Sequence, residues 1–213
     1  MNKKIDELKK YYNKKKDIIK NRLQLFQKLG KNATEKELFV ELCFCLCTPQ
    51  SKAKLANKAI LNLKESNFLY NGTFKQIRKY LIGVRFPNNK AKYIVKAQQL
   101  FQKNNQINVR QYIKSDLKET RKWLVKNVKG FGYKEASHFL RNIGLGKDFA
   151  ILDKHILTNM QEYNIIQDKI TTITHKKYLL LEQKLHIFSQ KIGISLEHLD
   201  LVFWSKQTGE VFK

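Results

Sequence analysis

The sequence predicts an all-α fold, and three observations support this prediction. Apolar residues recur every three or four positions along nearly the whole chain, which is the pattern of amphipathic helices. No segment alternates apolar and polar residues in the way that half-buried strands do. The 213 residues include only two prolines and nine glycines, too few for the many turns of an all-β chain. With 42% apolar residues, the chain can form one sizeable domain or two small subdomains.

The predicted helices can be followed in order from their boundary residues. Two amphipathic stretches come first, and Gly30 is expected to end the second of them. Thr34 and Glu37 then have the spacing of a capping box, which begins the next helix, and Pro49 marks its end. Further helical stripes follow to the end of the chain; they begin near Leu55, Tyr93, Leu117, Ala136, Ile156, Tyr178 and Leu199.

Three cysteines lie close together, at Cys43, Cys45 and Cys47. An odd, clustered set is a poor disulfide framework, so we expect a reducing, intracellular compartment. On a helix Cys43 and Cys47 share a face and Cys45 points away, and no second Cys or His cluster follows at the spacing of zinc sites. There is also no four-cysteine run that could hold an iron–sulfur cluster. Buried apolar side chains are therefore the favoured interpretation, and no metal site is predicted.

The charge of the chain indicates its partner. Lys and Arg number 42 against 18 Asp and Glu, a formal net charge of +24, which predicts a polyanion and most often nucleic acid. Charge alone leaves open two alternatives, solvated lysines in a lysine-rich chain and attachment to a membrane surface. No segment is long and apolar enough to cross a bilayer, and the N-terminal residues lack the apolar core of a signal peptide. We therefore expect an intracellular protein, cytoplasmic or associated with the nucleoid, without a membrane partner.

A glycine-containing turn is predicted between two helices, around Gly130 and Gly132. Two glycines one residue apart let the backbone take positive φ and approach another surface closely. Backbone N–H groups at such a turn, beside a helix N-terminus, can bind an anion, and for this chain the natural anion is a nucleic-acid phosphate. Taken alone, the two glycines are explained equally well by a tight turn that binds no ligand.

Two further residues lie at the starts of predicted helices. Lys134 falls in the first turn of the helix after the glycine turn, where the positive helix end makes a poor place for a structural ammonium. Asp153 follows an apolar run and precedes the helix that contains Ile156, so by itself it is an ordinary N-cap. Neither residue carries a function on its own.

The combination of these features resembles the helix-hairpin-helix superfamily of DNA glycosylases. That superfamily joins an apolar-x-Gly-apolar-Gly-x-Lys hairpin to an apolar-Asp-x-His-apolar segment nineteen residues further on. Here Asp153 lies nineteen positions after Lys134, and the two segments read Val128-Lys129-Gly130-Phe131-Gly132-Tyr133-Lys134 and Leu152-Asp153-Lys154-His155-Ile156. From about Leu38 onward the chain is similar to archaeal-type 8-oxoguanine DNA glycosylase/lyases, in segments at residues 41–45, 83–86, 91–94, 132–142 and 199–204.

The resemblance implies a fold and a reaction. It implies one unit over residues 1–213 with two helical subdomains, about 34–127 and 1–33 together with 128–213, and an active site in the cleft between them. It implies a monomer that acts on double-stranded DNA containing a damaged base, flips out 8-oxoguanine, removes it, and nicks the strand by β-elimination through a Lys Schiff base. Lys134 would be the nucleophile and Asp153 its ionised electrostatic partner, and no metal or organic cofactor is needed.

The resemblance also assigns base contacts. Phe86 and Trp204 would stack on either side of the flipped purine, and a free carboxylate at Lys213 would accept hydrogen bonds from its N–H groups. Gln50 lies in the region that would contact the gap or the opposite base. The alternatives are an ordinary core or hairpin aromatic for each of Phe86 and Trp204, and a plain loop amide for Gln50.

Two other functions remain open at this point. A non-enzymatic DNA-binding module would explain the charge and the glycines but would leave the interval between Lys134 and Asp153 unexplained. A glycosylase of the same fold could act on another lesion, such as an oxidised pyrimidine or uracil. The missing iron–sulfur cysteines argue against the endonuclease-III-like branch of the superfamily.

Overall fold

The computed structural model describes residues 3–168 and 170–213. This part of the chain forms eleven α-helices, one 3-10 turn and one very short β-hairpin. The elements are α1 (Lys3–Asn32), α2 (Glu35–Cys47), α3 (Ala53–Glu65), α4 (Phe68–Asn71), α5 (Phe74–Tyr80), α6 (Pro87–Phe101), β1 (Gln102–Lys103), β2 (Gln106–Ile107), the 3-10 turn (Arg110–Tyr112), α7 (Leu117–Asn127), α8 (Tyr133–Asn142), α9 (Lys154–Glu162), α10 (His175–Ile192) and α11 (Leu196–Thr208). The predicted all-α class is confirmed. None of the described helices is long and apolar enough to span a membrane.

The first helix corrects a boundary predicted from the sequence. The two N-terminal stretches form one continuous helix of 30 residues, and Gly30 lies inside it instead of ending it. A Cβ atom at Gly30 would lie 1.9 Å from the carbonyl oxygen of Ile143, in the segment after α8. The glycine is therefore needed for close contact between two backbones, a role that the local pattern around it does not reveal.

The second helix begins and ends as the sequence predicts. The N–H of Thr34 donates to Oε2 of Glu37 at 2.8 Å, and the N–H of Glu37 donates to Oγ1 of Thr34 at 3.2 Å, so both halves of the capping box are formed. The helix ends at Cys47, just before Pro49. Its three cysteines are free thiols, all fully buried.

A two-stranded antiparallel hairpin was not predicted. Its strands are two residues each, too short to show any alternation, and they pair Gln102 with Ile107 and Lys103 with Gln106. The two residues between the strands, Asn104 and Asn105, have φ values of 51° and 61°. Asparagine tolerates this left-handed conformation better than most residues, and two such positions are what a tight hairpin turn requires.

The helices enclose two separate hydrophobic cores. The first is formed by side chains of α2 to α7 and by the buried face of α8, with Phe39, Phe44 and Phe101 among its largest members. The second is formed by α1, α9, α10 and α11 and includes Leu8 and Phe203. Helix α8 packs against α1 as well as against α2 and α7, so it lies at the junction of the two cores. The subdomain limits 34–127, and 1–33 with 128–213, stay a prediction.

Candidate active site

A cleft of about 880 Å³ lies where elements of the two cores meet. Its walls come from the α2–α3 loop and the start of α3, from one face of α8, from the start of α9, and from α11 with the segment that follows it. Of the eight site residues predicted from the sequence, five line it: Gln50, Lys134, Asp153, Trp204 and Lys213. Phe86, Gly130 and Gly132 are not among its lining residues.

The hairpin between α7 and α8 depends on one of its two glycines for backbone geometry. Gly130 has φ of 99°, in the region that favours glycine, whereas Gly132 is extended, with φ of −109° and ψ of −172°. The buried side chain of Phe131 and the bond from its N–H to the carbonyl of Val128, at 3.0 Å, close the turn. The expectation of positive φ therefore holds for Gly130 only.

Replacing Gly130 by alanine is expected to destabilise the hairpin far more than the same change at Gly132. A Cβ atom at Gly130 would combine a strained φ with contact at 2.4 Å to the ring of Tyr93, whereas at Gly132 it would meet only Glu135 Oε2, at 3.2 Å. We expect Gly130→Ala to lower the free energy of unfolding by about 2–4 kcal/mol and Gly132→Ala by less than about 1 kcal/mol. Urea unfolding of both variants measures the difference, and equal effects would contradict this account.

Lys134 lies in the first turn of α8 with its side chain partly exposed. Its Nζ is 3.0 Å from Oε1 of Glu135, and the other carboxylate oxygen of Glu135 accepts the N–H of Gly132 at 3.0 Å. Glu135 therefore links the amine to the hairpin backbone. It was not predicted as a site residue, although its position three residues after Gly132 is that of the acid in a capping box.

Asp153 is the N-cap of α9, as the sequence predicts. Its Oδ1 accepts the N–H of Ile156 at 2.8 Å, which fixes the carboxylate at the helix end. The segment before it is held by Tyr178, whose hydroxyl donates to the carbonyl of Ala150 at 2.7 Å and accepts the N–H of Leu152 at 3.3 Å. The backbone that delivers Asp153 to the cleft is thus anchored on α10.

Charged and polar side chains form the inner wall of the cleft. Nη2 of Arg141 lies 3.6 Å from Oδ2 of Asp200, and both residues are buried. Burial raises the pKa of Asp200 to about 6, and Asp153 adds to this while Arg141 opposes it. Burial and the neighbouring cations, Arg141 first among them, hold the pKa of His138 well below its usual value. Asp200 was not predicted as a site residue; its signal in the sequence is an acid within an apolar run.

Asp200 is expected to give the protein a distinctive pH dependence of stability. The folded-state pKa of Asp200, about 6, lies above the ordinary value of 3.8. The stabilisation of the folded state by protonated Asp200 is therefore fully present below pH 3.8 and is lost as the pH rises through 6. Relative to Asp200→Asn, the wild type should lose about 2 kcal/mol of unfolding free energy between pH 4 and pH 7.5. Urea unfolding at the two pH values tests this, with Asp17→Asn as an exposed control. Parallel behaviour of Asp200→Asn and wild type would contradict it.

The predicted base contacts occupy different positions: Trp204 and Lys213 line the cleft, and Phe86 does not. The ring of Trp204 lies 6.4 Å from that of Phe212. The side chain of Lys213 turns inward, where its Nζ is 2.5 Å from Oε1 of the buried Glu41. Phe86 lies at the start of α6, with 51% of its surface exposed and φ of 54°.

The loop residue Gln50 also has a left-handed backbone, with φ of 56°. Gln50 and Phe86 are both non-glycine residues in this strained region, on two neighbouring loops.

The chain that forms this cleft is similar to known proteins over most of its length. The family model described as Ogg-HhH, 8-oxoguanine DNA glycosylase, matches residues 19–194. The chain belongs to this family. An 8-oxoguanine DNA glycosylase/AP lyase of Fusobacterium nucleatum is 40% identical over 210 residues, which cover 98% of this chain and 97% of the relative.

Solved structures of family members agree with this assignment. The crystal structure of the 8-oxoguanine DNA glycosylase of Thermotoga maritima superimposes with a TM-score of 0.87 and 33% identity, covering 98% of each chain. The 8-oxoguanine glycosylase/lyase of Methanocaldococcus jannaschii, crystallised with a 15mer DNA containing 8-oxoguanine, gives a TM-score of 0.88 and 34% identity. It covers 98% of this chain and 99% of that one. The family predicted from the sequence is confirmed.

Proposed function

We propose that this family member excises 8-oxoguanine from DNA and nicks the resulting abasic strand by β-elimination through a Schiff base on Lys134. The observation that carries the proposal is that Lys134, next to the glycine hairpin, and Asp153, at the cap of α9, line one cleft. Membership of the 8-oxoguanine DNA glycosylase family supports the substrate, and the Methanocaldococcus jannaschii relative was crystallised on DNA containing this base.

Lys134 would supply the bond-forming atom. Its neutral amine attacks C1′ of the flipped nucleotide, and the bond between C1′ and the base breaks. Loss of a proton from nitrogen and opening of the sugar ring then give the Schiff base. This intermediate makes a C2′ proton acidic, and its removal expels the 3′ phosphate, which cuts the strand on the 3′ side of the lesion.

Asp153 would act through its charge. An ionised carboxylate beside the sugar stabilises the positive charge that develops on it as the base leaves, and it orients or deprotonates the amine. Because its Oδ1 is held by the N–H of Ile156, the carboxylate needs no reorganisation during the reaction. Capping and catalysis are therefore compatible roles for the same side chain.

The other predicted site residues would contact the flipped base or the DNA around it. Phe86 and Trp204 would stack on the flipped purine, and Lys213, which lines the cleft, would contact it as well. Gln50 would contact the gap or the opposite base, and the hairpin at Gly130 and Gly132 would hold a backbone phosphate. The proposed enzyme is an intracellular monomer whose partner is a damaged DNA duplex and whose chemistry needs neither a metal nor an organic cofactor.

A lesion panel tests the proposed substrate. Duplexes with one 8-oxoguanine, uracil or oxidised pyrimidine are incubated with excess enzyme, and base release is followed over time. Release from 8-oxoguanine opposite cytosine should exceed release from the other lesions. Little release from that duplex, or faster release of an oxidised pyrimidine, would show that the substrate is a different base.

A further inference from the structure

Lys90 is a buried lysine that does not belong to the catalytic pair, and its side chain contacts the α2–α3 loop, which lines the cleft. Its Nζ donates to three oxygens: the carbonyls of Cys47 and Pro49, both at 2.7 Å, and Oγ of Ser51 at 2.9 Å. None of these acceptors is charged. The ammonium therefore binds the last carbonyl of α2, which has no acceptor role within the helix, and two oxygens of the α2–α3 loop.

The same residue is connected to the second loop, between α5 and α6. Its backbone N–H donates to the carbonyl of Phe86 at 3.1 Å, and Ser51 Oγ accepts the N–H of Arg85 at 2.9 Å. Lys90 and Ser51 together thus join the loop that carries Gln50 to the loop that carries Phe86.

The two loops contain strained residues that need such support. Gln50 and Phe86 both adopt positive φ, at 56° and 54°. A non-glycine residue in this region costs on the order of 1 kcal/mol or more and persists only where surrounding contacts enforce it. Lys90 and Ser51 bind the residues on both sides of Gln50, together with Arg85 and the carbonyl of Phe86.

Burial of an ammonium beside neutral oxygens is itself costly. Burial lowers the pKa of Lys90 to about 8. The charge of Lys134 also lowers this pKa, whereas Cys47 and Glu135 raise it. A residue such as methionine would fill the same space without burying a charge. The buried ammonium of Lys90 is therefore expected to have a role other than filling space in the core.

We propose that Lys90 is a positioning residue for base recognition: through Ser51 it holds the Phe86 loop, which would stack on the flipped base, against the Gln50 loop, which would contact the gap or the opposite base. This inference rests on the proposed function, because it takes Phe86 to stack on the flipped base. It separates two steps of the reaction. Base excision needs Phe86 to be correctly placed on the flipped base, whereas attack of Lys134 on an abasic site, which has no base, does not.

The test measures both steps in Lys90→Met, with Lys96→Met as the matched control, since Lys96 is an exposed lysine on the same helix. Under excess enzyme, Lys90→Met should release 8-oxoguanine at least about tenfold more slowly than wild type, because small misplacements of contacting groups have such effects. Borohydride trapping on a preformed abasic duplex should stay within about threefold of wild type, and Lys96→Met should match wild type in both. Base release by Lys90→Met at the wild-type rate would overturn the inference, as would equal losses in both assays.

A second variant covers the case in which Lys90→Met does not fold. Ser51→Ala removes only the hydroxyl that joins the two loops, and it should slow base release about threefold or more without changing trapping. Wild-type base release by Ser51→Ala would overturn the inference. Failure of wild type to release 8-oxoguanine at all would instead refute the proposed function, so the two failures are distinguishable.

Discussion

Lys134→Gln is expected to abolish strand nicking and borohydride trapping while the protein still folds and binds DNA. Glutamine keeps a polar side chain in the first turn of α8, so the hairpin should be preserved, but its amide cannot form a Schiff base. Loss of a nucleophile should lower the rate by at least about 10³-fold. Single-turnover nicking of an 8-oxoguanine duplex, together with a gel-shift measurement of binding, provides the test.

The matched control for this change is Lys122→Gln. Lys122 is an exposed lysine on α7 that also pairs with a glutamate, Glu119, at 2.8 Å, and it lies outside the cleft. It should nick and trap as wild type does. Trapping by Lys134→Gln at the wild-type level would show that another amine forms the Schiff base.

Asp153→Asn is expected to slow base release by about 10²–10³-fold, because it removes the charge that stabilises the developing positive sugar. Asparagine caps helices about as well as aspartate, so the bond to the N–H of Ile156 should survive and the loss should not come from unfolding. Single-turnover release of 8-oxoguanine measures the effect, and thermal unfolding verifies the fold.

Asp116→Asn makes the same substitution at another helix cap. Asp116 begins α7, where its Oδ1 accepts the N–H groups of Lys118 and Glu119, and it does not line the cleft. It should leave base release unchanged. If Asp153→Asn and Asp116→Asn behaved alike, Asp153 would be a structural cap and the proposed electrostatic role would be wrong.

The location of the catalytic candidates could be predicted because it depends on local signals at a fixed interval. The hairpin glycines, the helix that starts at Tyr133 and the cap at Asp153 are each set by neighbouring residues. The interval between Lys134 and Asp153 then matches a known family. The resemblance therefore identified two residues that the folded chain brings to one cleft.

Features that depend on distant contacts could not be predicted in this way. Gly30 resembles a helix end until the backbone of Ile143 is seen packed against it. The pairing of Arg141 with Asp200 joins α8 to α11, and no local pattern specifies it. The contacts of Lys90 with Ser51 likewise join segments that are far apart in the sequence.

If Lys134 forms the covalent intermediate, the trapped adduct must lie on its side chain, and mapping that adduct identifies the residue. The wild-type protein is reduced with borohydride on an 8-oxoguanine duplex, digested, and analysed by mass spectrometry for the peptide that carries the sugar remnant. We expect a single adduct on the Nζ of Lys134. An adduct on another lysine or on the N-terminal amine, or no adduct at all, would contradict it.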